Sequence, residues 1–543
     1  MKRKATLMTV LAVGAIALSA CGKQSNQTDK SKASFGLNTE VASMDTLKAQ
    51  DPNSFDVQDA VFSGLYRMNA KDKVMPDIAK GAPKLSNGNK TYTINLRHDA
   101  KWSNGEAVTA GDFVYAWQRA ANPRTKSNYA FIVQTILKNG DEVAAGKISP
   151  SKLGVKAVGK YQLKVELQKP TPYFESLLTF NPYFPQNKKF IEKVGSKYAT
   201  SPSTMIYNGP FKVAKYSQGA TTISLTQNKN YVGPIKPKLK ELNFQVVKSA
   251  NTGLNQYQAK QLDMTFLTNN LVKNNQNSTG FKTVPNSMIT YLQFNMRKSI
   301  KNNPFLNKSI RQAIANSLDS DQLADKVLQD KSKALTGFIP PKFVTNPSTG
   351  KDFRAEGGDL YHADRSKVDD QWKKAKRALG QSKVSLQLLI DDEDWQKSIG
   401  EYIQAELQKQ LPGLTVTIKV LPQQQELSLV SQGQYQMVLA QWGPDYQDPT
   451  TYLANYMNTP GRAAGYNNPK FDKLMNDANG KDVNNSAKRF SDFHKAEEIL
   501  VKDEQVLVPL NQQVYSIMRQ PKLKGVAHHM VGAPFTYATA YWE

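Results

Sequence analysis

Apolar and polar side chains alternate over residues 91–96, where Tyr92, Ile94 and Leu96 share one side. A period of two predicts a half-buried strand. The period returns over residues 161–167 (Tyr161, Leu163, Val165, Leu167) and stops at Pro170 and Pro172. Between them, Thr109 precedes Phe113, Val114 and Trp117, which predicts a capped helix. Further strands are expected from Phe211, at residues 223–225 and at residues 242–247. Ile310, Ile314 and Leu318 recur at helical spacing, and Asp319 is placed to cap the next helix with Gln322 at the capping-box position. Residues 384–390 read as a strand. Ile399, Ile403, Leu407 and Leu411 form a helical stripe that Pro412-Gly413 ends, and Leu414, Val416, Ile418 and Val420 form another strand. Strand, helix and strand in that order predict an α/β lobe. A helix through Phe490 and Phe493 precedes a strand over residues 506–510. Residues 269–285 read as a crossing between lobes or as a loop.

The stretch with the most chemistry is residues 440–450, Ala-Gln-Trp-Gly-Pro-Asp-Tyr-Gln-Asp-Pro-Thr, after the apolar run 437–440. Gly443, Pro444 and Pro449 break regular structure there. A loop at a strand end is a common place for a ligand. It offers a flat aromatic in Trp442 and two acids, Asp445 and Asp448, but no His, Cys or Lys. Two readings stand side by side: a clasp for a ligand, or a turn with solvated acids and one core Trp.

Size and composition narrow the class. A chain of 543 residues exceeds the reach of a single core, so at least two lobes are expected. The net charge of +25 is spread along the chain. With no zinc-finger spacing, RNP-like motif or Arg-rich stretch, it suits an acidic neighbourhood better than a nucleic acid. Residues 154–160 read G-x-x-x-x-G-K, but Tyr161 follows where a P-loop needs Ser or Thr. The five histidines form no metal motif and no G-x-S-x-G elbow is present. The expectation is therefore no catalytic residue, no metal and no cofactor.

Lys2-Arg3-Lys4, an apolar run over residues 7–18 and Leu18-Ser19-Ala20-Cys21 read as an export signal over residues 1–20. Cys21, the one cysteine, then becomes the first mature residue, in the setting of a lipobox where its sulfur takes a diacylglycerol. Residues 21–34 read as lipidated Cys and flexible tether. The body would be leashed to the outer face of a cell membrane, in a setting that suits a Gram-positive surface.

One region carries a family likeness. Residues 92–119 run Tyr-Thr-Ile-Asn-Leu-Arg, then Trp102-Ser103-Asn104-Gly105, Thr109, Asp112, Phe113, Trp117 and Arg119. This closely resembles the signature of the extracellular solute-binding proteins of peptide ABC importers. Met44-Asp45, Asn208-Gly209-Pro210-Phe211, Asn228, Asn295, Arg311 and Tyr466 match as well, and residues 442–450 resemble the oligopeptide-binding branch. The resemblance implies an α/β clamp of the type II periplasmic-binding-protein kind, with two lobes, an extra small domain and mixed sheets. Lobe I would comprise residues 35–61, 188–289 and 512–543, the small accessory domain residues 62–187, and lobe II residues 290–511. It implies a monomer that binds oligopeptides between the lobes and delivers them to the permease subunits of an ABC transporter and, through them, to its ATPase subunits. Asp445 would pair with the peptide α-ammonium. Gln441, Trp442 and Gly443 would run beside the peptide like an added strand, and Gln50, Asp51 and Pro52 would supply a strand on the other lobe. Tyr129, Tyr291 and Gln293 match further cleft positions. Leu439 stands where enteric relatives have an Arg, Gln513 replaces a cleft Tyr, and Val232 follows Tyr231 where a Trp is usual. These departures point to longer or variable peptides. The same fold with another ligand (a signalling peptide, a metal chelate, haem) and a surface adhesin or hydrolase are the alternatives.

Overall fold

Two long antiparallel strands, Phe281–Phe294 and Leu507–Arg519, form the spine of the computed structural model, which describes residues 29–459 and 464–543. An 11-stranded sheet is built on them. On one side follow Met437–Trp442, Val384–Asp391 and Leu414–Leu421. On the other follow Met264–Leu267, Lys32–Leu37, Glu241–Val246, Thr222–Gln227 and Phe211–Lys215. Parallel and antiparallel pairs mix within it. A separate four-stranded sheet runs Lys84–Ser86, Thr91–Asn95, Gln162–Glu166, Val155–Ala157.

Among the described residues the three largest apolar cores divide the molecule. One lies within residues 47–206 around Trp102, Trp117 and Tyr183. A second joins Phe35, Phe244 and the tail residue Tyr537, with the Phe35 and Tyr537 rings 4.4 Å apart. The third, drawn mainly from residues 289–510, holds Phe338, Trp372 and Tyr452. The mixed α/β clamp expected from the sequence is the architecture observed.

The family signature turns out to consist of joints. Asp112 accepts hydrogen bonds from the N–H (2.7 Å) and hydroxyl (2.9 Å) of Thr109 and so caps helix Ala110–Ala121. Trp117 donates to the Tyr183 carbonyl at 2.9 Å. Arg119 forks onto Asp45 at 2.8 and 3.2 Å and reaches Gln186 at 2.8 Å, tying the small region to the N-terminal segment. Asn208 bonds both the N–H and the carbonyl of Ser63, at 3.1 and 2.9 Å. Beside it, a Cβ on Gly209 would come within 2.5 Å of the Val61–Phe62 backbone, so only glycine fits that approach.

Several expectations change. Residues 269–285 are not a loop: they hold helix Asn270–Asn275 and the start of strand Phe281–Phe294, which runs on from the second core to the third. That half of the strand is mostly half-buried, mixes Phe281, Val284 and Pro285 with polar residues and so shows no strict apolar alternation to read. The tether ends earlier than residue 34, because Lys32–Leu37 is a strand whose Ala33, Phe35 and Leu37 are buried. Gln322 does not complete a capping box. Its N–H is capped by Asp319 at 3.0 Å while its side chain accepts from Arg365 at 3.1 Å. The near P-loop at residues 154–160 is a hairpin between Val155–Ala157 and Gln162–Glu166. The export segment 1–20, Cys21 and the tether as far as residue 28 lie outside the described residues. No described helix is long and apolar enough to cross a membrane.

The spine strands do not pair evenly. Their register shifts between Pro285 and Ile289, opposite Val514 and Gln512. Pro285 has no N–H to give the ladder. Residues 286–288 leave the ladder and bond elsewhere: Tyr452 donates to the Ser287 carbonyl at 2.6 Å, and Gln512 to the Asn286 carbonyl at 2.8 Å. Here the sheet passes from the second core to the third.

Candidate functional site

Strand Met437–Trp442 is paired along its whole length on one side, from Phe294 opposite Met437 to Ile289 opposite Trp442. On the other side it pairs with Val384–Asp391 only at Met437 and Val438. Beyond Val438 that edge has no neighbouring strand among the described residues. An edge of this kind presents backbone donors and acceptors in a row, a template for another extended chain. Gln441 and Trp442 are strand residues at this open edge, not loop residues, and Gly443 and Pro444 follow.

Asp445 lies three residues past the strand. Its N–H donates to Thr451 Oγ1 at 3.4 Å. Its half-buried carboxylate has no hydrogen-bond or ion-pair partner among the described residues. Burial pushes the carboxyl from an ordinary 3.8 up to about 6. The Tyr129 hydroxyl is also raised, by burial first and then by the negative charges of Asp445 and Asp51. These three groups, from segments far apart in the chain, therefore share one electrostatic neighbourhood. Tyr129 is held there by edge contacts of its ring with Phe180 (4.9 Å) and Phe55 (5.8 Å).

A cavity of about 340 Å³ opens beside Asp445. Trp442, Tyr446, Thr450, Thr451 and Ala454 line it from one side, and Phe131, Ile132, Ile136, Tyr173 and Leu177 from the small region. Both threonine hydroxyls are engaged, Thr450 donating to Asp448 at 2.6 Å and Thr451 accepting from Asp445. The indole N–H of Trp442 is buried without an acceptor among the described residues. Tyr173 and Tyr446 stack across the two sides, ring centres 4.1 Å apart and 7° from parallel.

The other expected residues fall differently. Asp51 caps helix Pro52–Val61, accepting from Ser54 N–H at 2.8 Å and Ser54 Oγ at 2.6 Å, with Pro52 in its first turn. Gln50, Asp51 and Pro52 are thus a helix start and not a strand, because Asp51-Pro52 is itself a helix-opening signal. Tyr291 is buried with its ring edge-on to Phe338 at 5.1 Å. Gln293 is buried too, donating to the Tyr435 hydroxyl at 2.8 Å and accepting from that of Tyr456 at 3.0 Å. Neither lines the cavity beside Asp445. Asp448 is not a solvated turn acid: it is buried in a bidentate pair with Arg489 at 2.6 and 2.9 Å. Leu439 is a core residue, and Gln513 donates to Gln441 at 3.1 Å.

Sequence reasoning missed Tyr173, Tyr446 and the apolar wall. Tyr446 sits inside the chemistry-rich stretch 440–450, but its partner lies more than two hundred residues away. One triad-like row also assembles. His529 lies 2.7 Å from Asp72 and 3.1 Å from Thr536 Oγ1, but that hydroxyl is buried and donates to Asp59 at 2.8 Å. It is a structural tie and offers no free nucleophile.

Comparison with known proteins agrees with this geometry. Residues 73–463 match the family model described as the middle part of bacterial extracellular solute-binding proteins, family 5. A dipeptide-binding protein of Lactococcus lactis is 34% identical over 551 residues, spanning 98% of each chain. Listeria monocytogenes OppA, solved bound to peptide, superposes with a TM-score of 0.77 at 34% identity, over 95% of this chain and 99% of that one. The pheromone receptor PrgZ superposes with a TM-score of 0.77 at 33% identity, over 95% of this chain and all of the other.

Proposed function

Because this chain belongs to the bacterial extracellular solute-binding proteins of family 5, a family of receptors and not of enzymes, we propose that it binds oligopeptides in the cleft beside residues 440–445 and delivers them to an ABC permease. The observation that carries this reading is Asp445, a half-buried carboxylate without a partner among the described residues at the end of an open strand edge. Burying an acid with no cation is costly, and a ligand that brings an ammonium removes the cost. The edge from Leu439 to Gly443 supplies backbone groups that pair with any peptide sequence, so side chains are left to looser pockets. Tyr129 stands close enough to feel Asp445. In this reading residues 286–288 and the facing Gln513 are where one lobe turns on the other. Tyr291 and Gln293 shape the strand from behind.

On the same reading the body sits on the outer face of the cell membrane, held by acyl chains on Cys21. Two such chains anchor stably, since each buried CH₂ contributes roughly 0.8 kcal/mol. Substitution of Cys21 by Ser should abolish incorporation of labelled fatty acid, and retained label would sink the anchor. For the clasp, calorimetry of purified protein with a free peptide and its N-acetyl form is the direct test. Acetylation and Asp445→Ala should each weaken binding at least tenfold; unchanged affinity in Asp445→Ala would remove this residue from the clasp.

A further inference from the structure

The receptor reading leaves open which peptides fit, and the cavity beside Asp445 bears on that. Resting on that reading, we propose that this cavity takes the side chain of the residue carrying the ligand's free ammonium, and that it selects bulky apolar side chains there. Among the described residues Asp445 is the one acid on its wall, and none of the described Lys, Arg or His side chains joins it. If Asp445 holds the ammonium, the cavity of about 340 Å³ that Asp445 itself lines is open to the adjoining side chain. That is within the usual size range of small-molecule pockets, roughly 300–1,000 Å³, and ample for an aromatic ring.

The wall chemistry disfavours the alternatives. Ile132, Ile136, Leu177 and Ala454 are apolar, and the polar groups of Thr135, Thr450, Thr451 and Asn455 are already engaged with neighbouring protein groups. An acidic first side chain would face Asp445 across a poorly solvated gap. A basic one would find its only counter-charge already taken by the α-ammonium. Glycine would leave the apolar wall without contacts. A large apolar group removes that wall from water at no electrostatic cost. The wall is contributed from both sides of the cleft, so filling it also favours their approach, as the Tyr173–Tyr446 stack already does.

The test uses the full-length protein and five peptides of sequence X-Ala-Ala-Ala-Ala with free N-termini, X being Phe, Leu, Gly, Asp or Lys, measured by calorimetry. Phe and Leu should bind at least tenfold tighter than Gly, Asp and Lys. Ala454→Phe, which fills the cavity, should reduce the Phe-to-Gly affinity ratio at least tenfold. Equal affinities across the five peptides would overturn the selectivity while leaving peptide binding intact. A ratio untouched by Ala454→Phe in a folded variant would overturn the assignment of this cavity. No binding by any of the five would overturn the receptor reading and this inference together. Should Ala454→Phe not fold, the five peptides on the unsubstituted protein already decide.

Discussion

Tyr173 and Tyr446 lie face to face with ring centres 4.1 Å apart, one from the small region and the other from the segment that carries Asp445. Close by, the Gln447 N–H meets Ser176 Oγ at 3.4 Å. The stack therefore joins the two walls of the cavity. Aromatic pairs contribute about 0.5–1.5 kcal/mol beyond their buried area. A double-mutant cycle with Tyr173→Ala and Tyr446→Ala, read by denaturant unfolding, should return a coupling of about that size. A coupling indistinguishable from zero would mean that the rings touch without holding the walls together.

Asp445 links ligand binding to pH. Its carboxyl titrates near 6 in the folded chain, against 3.8 for the ordinary group. The charged form is the one an ammonium pairs with, so peptide affinity should be greatest above pH 6. It should fall by about tenfold per pH unit below that value. Calorimetry between about pH 4.5 and about pH 8 checks this.

Stability of the empty protein should move the opposite way. Because the folded pKa is raised, the folded state holds the proton more tightly than the unfolded one, and stability is lost as pH rises from about 4 to about 6. Asp445→Asn should then stabilise the unliganded protein at neutral pH by on the order of 2 kcal/mol while impairing peptide binding. A variant that loses both stability and binding would assign Asp445 a structural role instead.

Asp448 should behave unlike its neighbour. It is buried against Arg489 with two short bonds and also accepts from the Thr450 N–H at 3.0 Å. Removing one partner strands the other charge, so Asp448→Ala should cost about 3–5 kcal/mol in chemical denaturation. A thermal or denaturant midpoint equal to that of the parent would show the pair to be dispensable.

How much of this is legible in the chain depends on what each residue faces. Tyr92, Ile94 and Leu96, or Ile399, Ile403 and Leu407, each pack one side against a core, so their spacing shows directly. Residues 32–34, the start of strand Lys32–Leu37, read as the end of the tether because the polar residues before them carry no boundary signal. The first half of Phe281–Phe294 is mostly half-buried and mixes apolar with polar residues, so it has no strict period to find. Within the site, Asp445 and Trp442 stand out as chemistry on a broken segment. Family likeness carries over the positions of Tyr291 and Gln293 but not the direction of their side chains, which are buried and engaged with Tyr456 and Tyr435. The apolar wall stays hidden because Ile132, Leu177 and Ala454 meet only when the chain folds.

Phe281–Phe294 and Leu507–Arg519 belong to both large cores at once, so neither core can lose its sheet without fraying the other. Melting of those two cores should be a single cooperative event, with calorimetric and van't Hoff enthalpies in agreement for that transition. The small region, with its own four-stranded sheet, has no strand in the spine. Amide exchange should accordingly find it opening independently, at lower free energy than the rest.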